Sequence, residues 1–132
     1  GRTMKYYEKK QREKSIFKGR VLHLHVDDVE LSDGTRSTRE IISHPGGVAI
    51  LAFTKEHEVL LVKQFRYAIH ESILEIPAGR MDQNETHFDC AIRELKEETG
   101  YISKEVSYLG QMFPTPGYSS EVIHLYLAKN CV

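Results

Sequence analysis

The sequence predicts an α+β fold built on a mixed β-sheet. Several short runs have β-like character, one segment has a clear helical pattern, and the connections between them are short. The length of 132 residues suits one compact fold, and 40% apolar with 28% charged residues is the balance of a soluble globular protein.

The charge and the cysteine usage exclude several other classes. With 18 basic and 19 acidic residues the formal net charge is -1, which argues against a dedicated nucleic-acid binder. Cys90 and Cys131 form no C-x-x-C pair, so neither a disulfide framework nor a cysteine zinc site is expected. No apolar run approaches the roughly 20 residues that span a bilayer, and the polar, basic start is unlike a signal peptide. We therefore expect a cytoplasmic protein with neither a nucleic-acid nor a membrane partner.

The first third of the chain has the pattern of β-structure. Residues 4–14 are charged and contain tyrosine, which is typical of a flexible arm or an edge segment. Residues 21–26 alternate, with their apolar side chains on one face. The turn signal Ser-Asp-Gly-Thr at residues 32–35 predicts a β-hairpin within residues 15–44.

The rest of the chain carries further strands. The apolar run at residues 48–53 predicts a strand covered on both faces, and residues 59–62 predict a second buried strand. Three more strands are predicted, at residues 72–76, 106–113 and 122–128, the last two joined by a rigid proline loop at residues 114–117.

A helix is predicted from Thr86 to Thr99. Thr86 with Asp89 three residues later is a capping-box-like start, and Gly100 suits the position after a helix. At 100° per residue, one face is mainly apolar and the opposite face is acidic. The first face consists of Phe88, Ile92, Leu95 and Thr99, and the second of Glu94, Glu97 and Glu98.

The acidic face fits either a solvated surface or a metal site. Glu94 and Glu98 form an i, i+4 like-charge pair, which destabilises an isolated helix by about 0.2–0.5 kcal/mol. On a solvated face, Arg93 and Lys96 would offset this charge. Alternatively, three carboxylates within about one turn supply the oxygen ligands that a hard divalent cation such as Mg²⁺ takes.

The residues around the helix favour the metal site. Gly79 is followed after five residues by Glu85, and after seven more by the run Arg-Glu-Leu-Lys-Glu-Glu-Thr-Gly-Tyr, which ends at Tyr101. This spacing resembles the signature of the Nudix hydrolases, a loop–helix–loop motif in which only Tyr101 departs from the usual aliphatic residue. The resemblance implies a Nudix fold, an α/β/α sandwich around a mixed sheet. It also implies Mg²⁺- or Mn²⁺-dependent hydrolysis of a nucleoside diphosphate linked to another moiety.

The resemblance implies a role for each acidic residue of the helix. Glu94 and Glu98 are expected to be metal ligands, and Glu97 a further ligand or the base that activates water. The backbone carbonyl of Ala78, just before the motif glycine, is expected to coordinate the metal as well. These assignments agree with the chemistry, since metal ions neutralise a diphosphate and lower the pKa of a bound water.

Arg93 is expected to orient the glutamates through ion pairs, and Glu85 to brace the loop against the helix. Nudix-fold modules that bind a nucleotide without cutting it usually lose a helix glutamate or this arginine. Here the arginine and all three glutamates are present, so the resemblance favours an enzyme over a binding module.

A narrower resemblance is to the ADP-ribose pyrophosphatase branch of the family. It rests on residues 39–48, 64–66 and 74–79, and on Pro116, which lies beyond the motif and is followed by glycine. The resemblance implies cleavage of ADP-ribose to AMP and ribose 5-phosphate. Hydrolysis of another nucleotide sugar, such as GDP-mannose or ADP-glucose, is the alternative, and Pro116 is the residue that favours ADP-ribose.

Four residues are candidates for binding this substrate. Arg66 would place a planar guanidinium near a phosphate or the adenine, or it is a plain surface arginine. Arg39 likewise either binds the substrate or is a surface arginine. Pro116 marks the branch, and Glu121 either accepts hydrogen bonds from ribose hydroxyls or simply ends a strand.

The chain is expected to divide near residue 44. Residues 1–44 would form an arm and a β-hairpin, and residues 45–132 the Nudix hydrolase domain. ADP-ribose pyrophosphatases generally pair through their amino-terminal strands, so the resemblance implies a homodimer in which Arg39 helps to complete the neighbour's site. Relatives in this branch continue with an acidic loop and a carboxy-terminal helix, and we expect these 132 residues to lack that helix.

Overall fold

The computed structural model describes residues 7–132, which form two compact units. One unit comprises the chain up to Pro45 together with Thr115–Glu121, and the other comprises Gly46–Pro114 with Val122–Val132. Within the described residues, no helix is long and apolar enough to cross a membrane. The elements in chain order are β1 (Lys9–Lys18), β2 (His23–Glu30), β3 (Arg36–Ser43), β4 (Gly47–Thr54), β5 (Val62–Arg66), β6 (Glu71–Glu75), β7 (Ala78–Gly79), α1 (His87–Thr99), β8 (Glu105–Met112) and β9 (Ile123–Cys131).

The first unit contains a three-stranded antiparallel sheet in the order β1-β2-β3. The predicted hairpin is confirmed by the pairing of β2 with β3, in register from His23 opposite Ser43 to Glu30 opposite Arg36. Its turn forms because Gly34 adopts a φ of 86°, and because the Asp33 carboxylate accepts the backbone N–H of Thr35.

Residues 9–14 of the predicted arm belong to β1, the edge strand of this sheet. β1 pairs with β2 through two register shifts and is exposed throughout. Residues 4–6 of the predicted arm lie outside the described residues.

The second unit contains a four-stranded sheet in the order β7-β4-β9-β8. β4 and β9 are parallel, whereas β4–β7 and β8–β9 are antiparallel, so the prediction of a mixed sheet is confirmed. The helix α1 packs on β4, β7 and β9. The core between them consists of Val48, Ile50, Ala52, Cys90, Ala91, Leu95, Tyr126, Ala128 and Cys131.

Two details of this unit differ from the sequence prediction. The apolar pattern predicts the second buried strand at residues 59–62, but β5 begins at Val62 and pairs with β6 in a two-stranded hairpin. Leu61 is exposed. The prediction of burial is wrong here because an apolar run does not reveal whether a second layer covers it. In α1, the small residues Cys90 and Ala91 face the core instead of Phe88, which is exposed. Small side chains let the helix approach β4 closely.

Candidate active site

The helix that carries the acidic face has the predicted ends. The hydroxyl of Thr86 accepts the backbone N–H of Asp89 at 3.1 Å, which caps the first turn. Gly100 has a φ of 77° and its N–H donates to the carbonyl of Lys96 at 2.8 Å, which closes the last turn. These two local caps hold the glutamates of the helix at defined positions.

Arg93 joins the loop before the helix to the helix itself. Its Nε and Nη2 donate to the two carboxylate oxygens of Glu85, at 2.7 and 2.9 Å, in a bidentate pair. Its Nη1 donates to Glu94 at 2.7 Å and to Glu97 at 3.1 Å, and its Nη2 to the carbonyl of Arg80 at 3.1 Å. One guanidinium therefore orients three carboxylates.

The electrostatics of this cluster follow from the same contacts. The hydrogen bonds from Arg93, helped by the backbone N–H of Asp82, lower the pKa of Glu85 to about 2. The same pairing raises the pKa of Arg93 above its usual range. Glu85 therefore stays ionised at any pH near neutrality and braces the loop, as its position in the motif suggests.

Glu94 and Glu98 lie beside the short strand β7. A Cβ built on Gly79 would overlap the carboxylate of Glu94, so a larger residue there would displace that carboxylate. The backbone of Ala78 hydrogen-bonds to Glu98 and lowers the pKa of its carboxyl. Partial desolvation and the charge of Glu94 outweigh that effect, and the pKa of Glu98 is raised.

This donor set fits a hard divalent cation. Carboxylate oxygens of Glu94 and Glu98 converge near the backbone of Ala78 and Gly79, and Arg93 is the one cation hydrogen-bonded to the cluster among the described residues. The charge of Glu94 contributes to the raised pKa of Glu98, although partial burial is the larger cause. Mg²⁺ and Mn²⁺ prefer such oxygen donors.

Arg66 lies at the end of β5 and is held by Glu75, a residue to which the sequence assigns no role. Its Nε and Nη2 donate to the two carboxylate oxygens of Glu75, at 2.6 and 2.5 Å. This pairing lowers the pKa of Glu75 and raises that of Arg66, to which the negative charge of Glu98 also contributes. Arg66 is therefore near the acidic cluster, with about half of its side chain exposed.

The other three predicted substrate residues belong to the unit that contains the three-stranded sheet. Arg39 donates from Nε to Glu8 at 2.7 Å and from Nη1 to the carbonyl of Thr38 at 2.9 Å. Glu121 lies 3.5 Å from Nδ1 of His44. Pro116 lies in a turn closed by Ser119, whose N–H donates to the carbonyl of Thr115 at 3.0 Å. The roles of these residues in binding stay predictions.

Sequence reasoning missed Glu75 and Arg80 as part of this arrangement. Glu75 lies nine positions after Arg66, so their pairing depends on how the β5–β6 hairpin brings the two side chains together. Arg80 takes part through its backbone carbonyl, which any residue at that position would supply. Residue type alone contained no signal for either contact.

Comparison with known proteins identifies the family of the chain. Residues 43–131 match the model of the NUDIX domain. The chain is 46% identical over 124 residues to a methanol dehydrogenase activator of Bacillus methanolicus, covering 94% of this chain and 67% of that protein. It is 44% identical over 122 residues to an ADP-ribose pyrophosphatase of Bacillus subtilis, covering 92% of this chain and 66% of that protein. The chain thus spans about two thirds of the length of these curated relatives.

A solved structure described as an ADP compounds hydrolase has the same fold. It superposes with a TM-score of 0.82 at 21% identity, covering all of this chain and 71% of the other. The fold and the acidic loop–helix segment define a Nudix-type protein, and the predicted fold is confirmed. With the domain match over most of its length, the chain belongs to the Nudix family.

Proposed function

We propose that this Nudix protein hydrolyses the pyrophosphate bond of ADP-ribose, giving AMP and ribose 5-phosphate. The observation that supports this most is the intact Arg93 cluster, in which Glu85, Glu94 and Glu97 are all held by one guanidinium. Similarity to an ADP-ribose pyrophosphatase over 92% of the chain supports the choice of substrate.

The proposed cofactor is Mg²⁺, or Mn²⁺ in its place. Glu94 and Glu98 would hold it, with Glu97 or the carbonyl of Ala78 as further donors. When bound, a divalent cation neutralises phosphate charge and lowers the pKa of a coordinated water. The charge of Glu94, which adds to the larger effect of burial in raising the pKa of Glu98, supports this assignment.

The side chains of the protein would hold the metal-binding carboxylates in position and deprotonate the attacking water. Arg93 keeps Glu94 in place through the 2.7 Å contact, and Gly79 leaves room for that carboxylate. Glu97 is the most exposed of the three acids hydrogen-bonded to Arg93, with 58% of its side chain accessible, so we assign it to accept the proton of the attacking water.

Arg66 would bind the substrate. Glu75 accepts from its Nε and Nη2, and the remaining N–H groups of the guanidinium can donate to a phosphate. Arg39, Pro116 and Glu121 are proposed as further substrate contacts, with Glu121 accepting from ribose hydroxyls.

Phosphate release from a panel of nucleotide sugars tests this proposal. ADP-ribose, ADP-glucose and GDP-mannose would each be incubated with the protein and an added phosphatase, with and without Mg²⁺. We expect the fastest release from ADP-ribose and little without the metal. Faster release from GDP-mannose would move the assignment to the alternative substrate. Binding of ADP-ribose without release from any compound would favour a binding module.

We also propose a homodimer that forms through the segment 1–44, with residues 45–132 as the catalytic domain. The edge strand β1 exposes Ile16 and Phe17, which a partner surface would cover. Sedimentation at micromolar concentration should show a dimer, and deleting residues 1–36 should lower activity. A monomer, or full activity after the deletion, would contradict this. The cytoplasmic location stays a prediction.

A further inference from the structure

We propose that Ser43 is a reactive nucleophile, activated by His25 and Asp27, that attacks activated phosphoryl and acyl esters. The three residues lie on β2 and β3 of the three-stranded sheet. The inference does not depend on the proposed pyrophosphatase function, because none of these residues belongs to the acidic cluster of α1.

The three side chains form a continuous hydrogen-bonded chain. Nε2 of His25 lies 2.8 Å from the hydroxyl oxygen of Ser43, and Nδ1 lies 2.7 Å from Oδ1 of Asp27. His25 and Asp27 are alternate residues of β2 and therefore share a face, and Ser43 lies opposite His23 on the neighbouring strand. Nucleophile, base and orienting acid are thus in hydrogen-bond reach of one another.

The carboxylate of Asp27 decides the tautomer of His25. An ionised carboxylate only accepts hydrogen bonds, so Nδ1 must carry the proton at this contact. In the neutral ring, Nε2 is then a lone-pair acceptor, and the hydroxyl of Ser43 must be the donor. This direction of donation is the one that a general base needs toward a nucleophilic hydroxyl.

The surroundings favour proton transfer to His25. The His25 side chain is only 8% exposed and that of Asp27 13%, so solvent screens their interaction weakly. A second carboxylate oxygen, from Glu13, lies 3.9 Å from Nδ1 and would stabilise the imidazolium that forms. Ser43 itself is partly exposed and can meet a small reagent.

The same sheet contains a matched control. The hydroxyl of Ser15 lies 2.9 Å from Nε2 of His23, so this pair has the same two groups at nearly the same distance. Among residues 7–132, however, no carboxylate is hydrogen-bonded to His23. Ser15 should therefore react much more slowly than Ser43.

The proposed reaction with diisopropyl fluorophosphate has a simple balance. The oxygen of Ser43 attacks phosphorus, an O–P bond forms, and the P–F bond breaks with fluoride leaving on the bonding electron pair. The hydroxyl proton passes to Nε2 of His25 and then to solvent. No oxidant, reductant or metal is needed.

Mass spectrometry of the labelled protein tests the proposal. For the protein without substitutions, we expect one diisopropylphosphoryl group per chain, which peptide mapping should locate on Ser43. Ser43→Ala should abolish the label, and His25→Ala or Asp27→Asn should slow labelling by about 10²-fold. Ser15→Ala should leave the rate unchanged.

Two results would overturn the proposal without depending on the folding of any variant. One is a peptide map of the original protein in which Ser43 stays unlabelled after prolonged exposure. The other is an NMR correlation of ring nitrogens and protons that places the proton of neutral His25 on Nε2 instead of Nδ1. A proton on Nδ1 together with label on Ser43 would support it.

Discussion

The loop–helix segment at residues 79–100 and the β1–β3 sheet both concentrate charged side chains, but they balance that charge differently. In the loop–helix segment, the acids Glu85, Glu94 and Glu97 share the single guanidinium of Arg93. Close to them, Glu98 has a pKa that is raised mainly by burial and further by the charge of its neighbour Glu94. Negative charge is therefore in excess around the helix.

In the sheet, three acids each lie beside a different basic side chain. Glu13 accepts from Lys10 at 2.6 Å, Asp27 lies 2.7 Å from Nδ1 of His25, and Asp28 lies 3.7 Å from Nε of Arg12. The difference indicates that these acids of the sheet have separate basic neighbours, whereas several acids of the helix depend on one guanidinium.

The largest expected effect comes from removing one of the crowded helix charges. Glu98→Gln keeps the size of the side chain and should lower turnover of ADP-ribose at least about 10²-fold, because a metal-binding charge is lost. The unfolding free energy without metal should rise slightly, since repulsion with Glu94 is relieved. Turnover under saturating Mg²⁺ and denaturant unfolding measure the two effects.

Two matched substitutions control this experiment. Asp89→Asn changes an exposed acid on the same helix outside the cluster and should leave turnover unchanged. Asp27→Asn removes a paired acid from the sheet and should lower the unfolding free energy, the opposite sign to Glu98→Gln. If Asp27→Asn and Glu98→Gln changed the unfolding free energy in the same direction, the contrast between the two regions would be wrong.

The next effect concerns the close approach of β7 to the helix. Gly79→Ala would push a Cβ against the carboxylate of Glu94, so that side chain must move and give up its 2.7 Å contact with Arg93. We expect a loss of about 1–3 kcal/mol in unfolding free energy, together with weaker Mg²⁺ binding by calorimetry. Gly117→Ala is the control, because an added Cβ there meets nothing within 4 Å. Equal stability of the two variants would count against a tight approach of Gly79 to Glu94.

Arg66 should show a binding effect. Arg66→Ala should raise KM about tenfold, with a smaller change in kcat, because the charge-assisted hydrogen bonds from the guanidinium to phosphate are lost. Arg66→Lys should restore little, since a point charge does not replace a planar fork. Arg20→Ala, an exposed arginine on the other unit, is the comparison. A lowered melting temperature with KM unchanged would mean that the Arg66–Glu75 pair is structural only.

The smallest effect appears only in acid. The pKa of Glu85 is about 2 in the folded protein against an ordinary value of 4.5, so its ionised form stabilises the fold above pH 4.5. That contribution is lost as the pH falls from 4.5 towards 2. Glu85→Gln should therefore flatten the acid-side decline in unfolding free energy. Asp82→Asn, at an exposed acid 3.4 Å from Arg93, should change the curve much less.

Features set by local interactions were predictable from the sequence. The ends of the helix depend on Thr86 and Gly100, each of which acts within one turn of the chain. The β2–β3 turn depends on Asp33 and Gly34 in the same way. The spacing of the motif placed Glu94 and Glu98 on one side of a helix, and the family match agrees with that motif.

Tertiary structure alone decided the contacts between distant residues. Within the apolar run at residues 59–62, Leu60 packs against the core whereas Val59 and Leu61 are exposed, which no local pattern reveals. Arg66 meets Glu75 through the path of a hairpin, and Ser43 meets His25 through the register of two strands. The physical reason is the same in each case. Caps and periodicity act over a few residues, whereas cross-strand partners follow from register and packing, which depend on the whole fold.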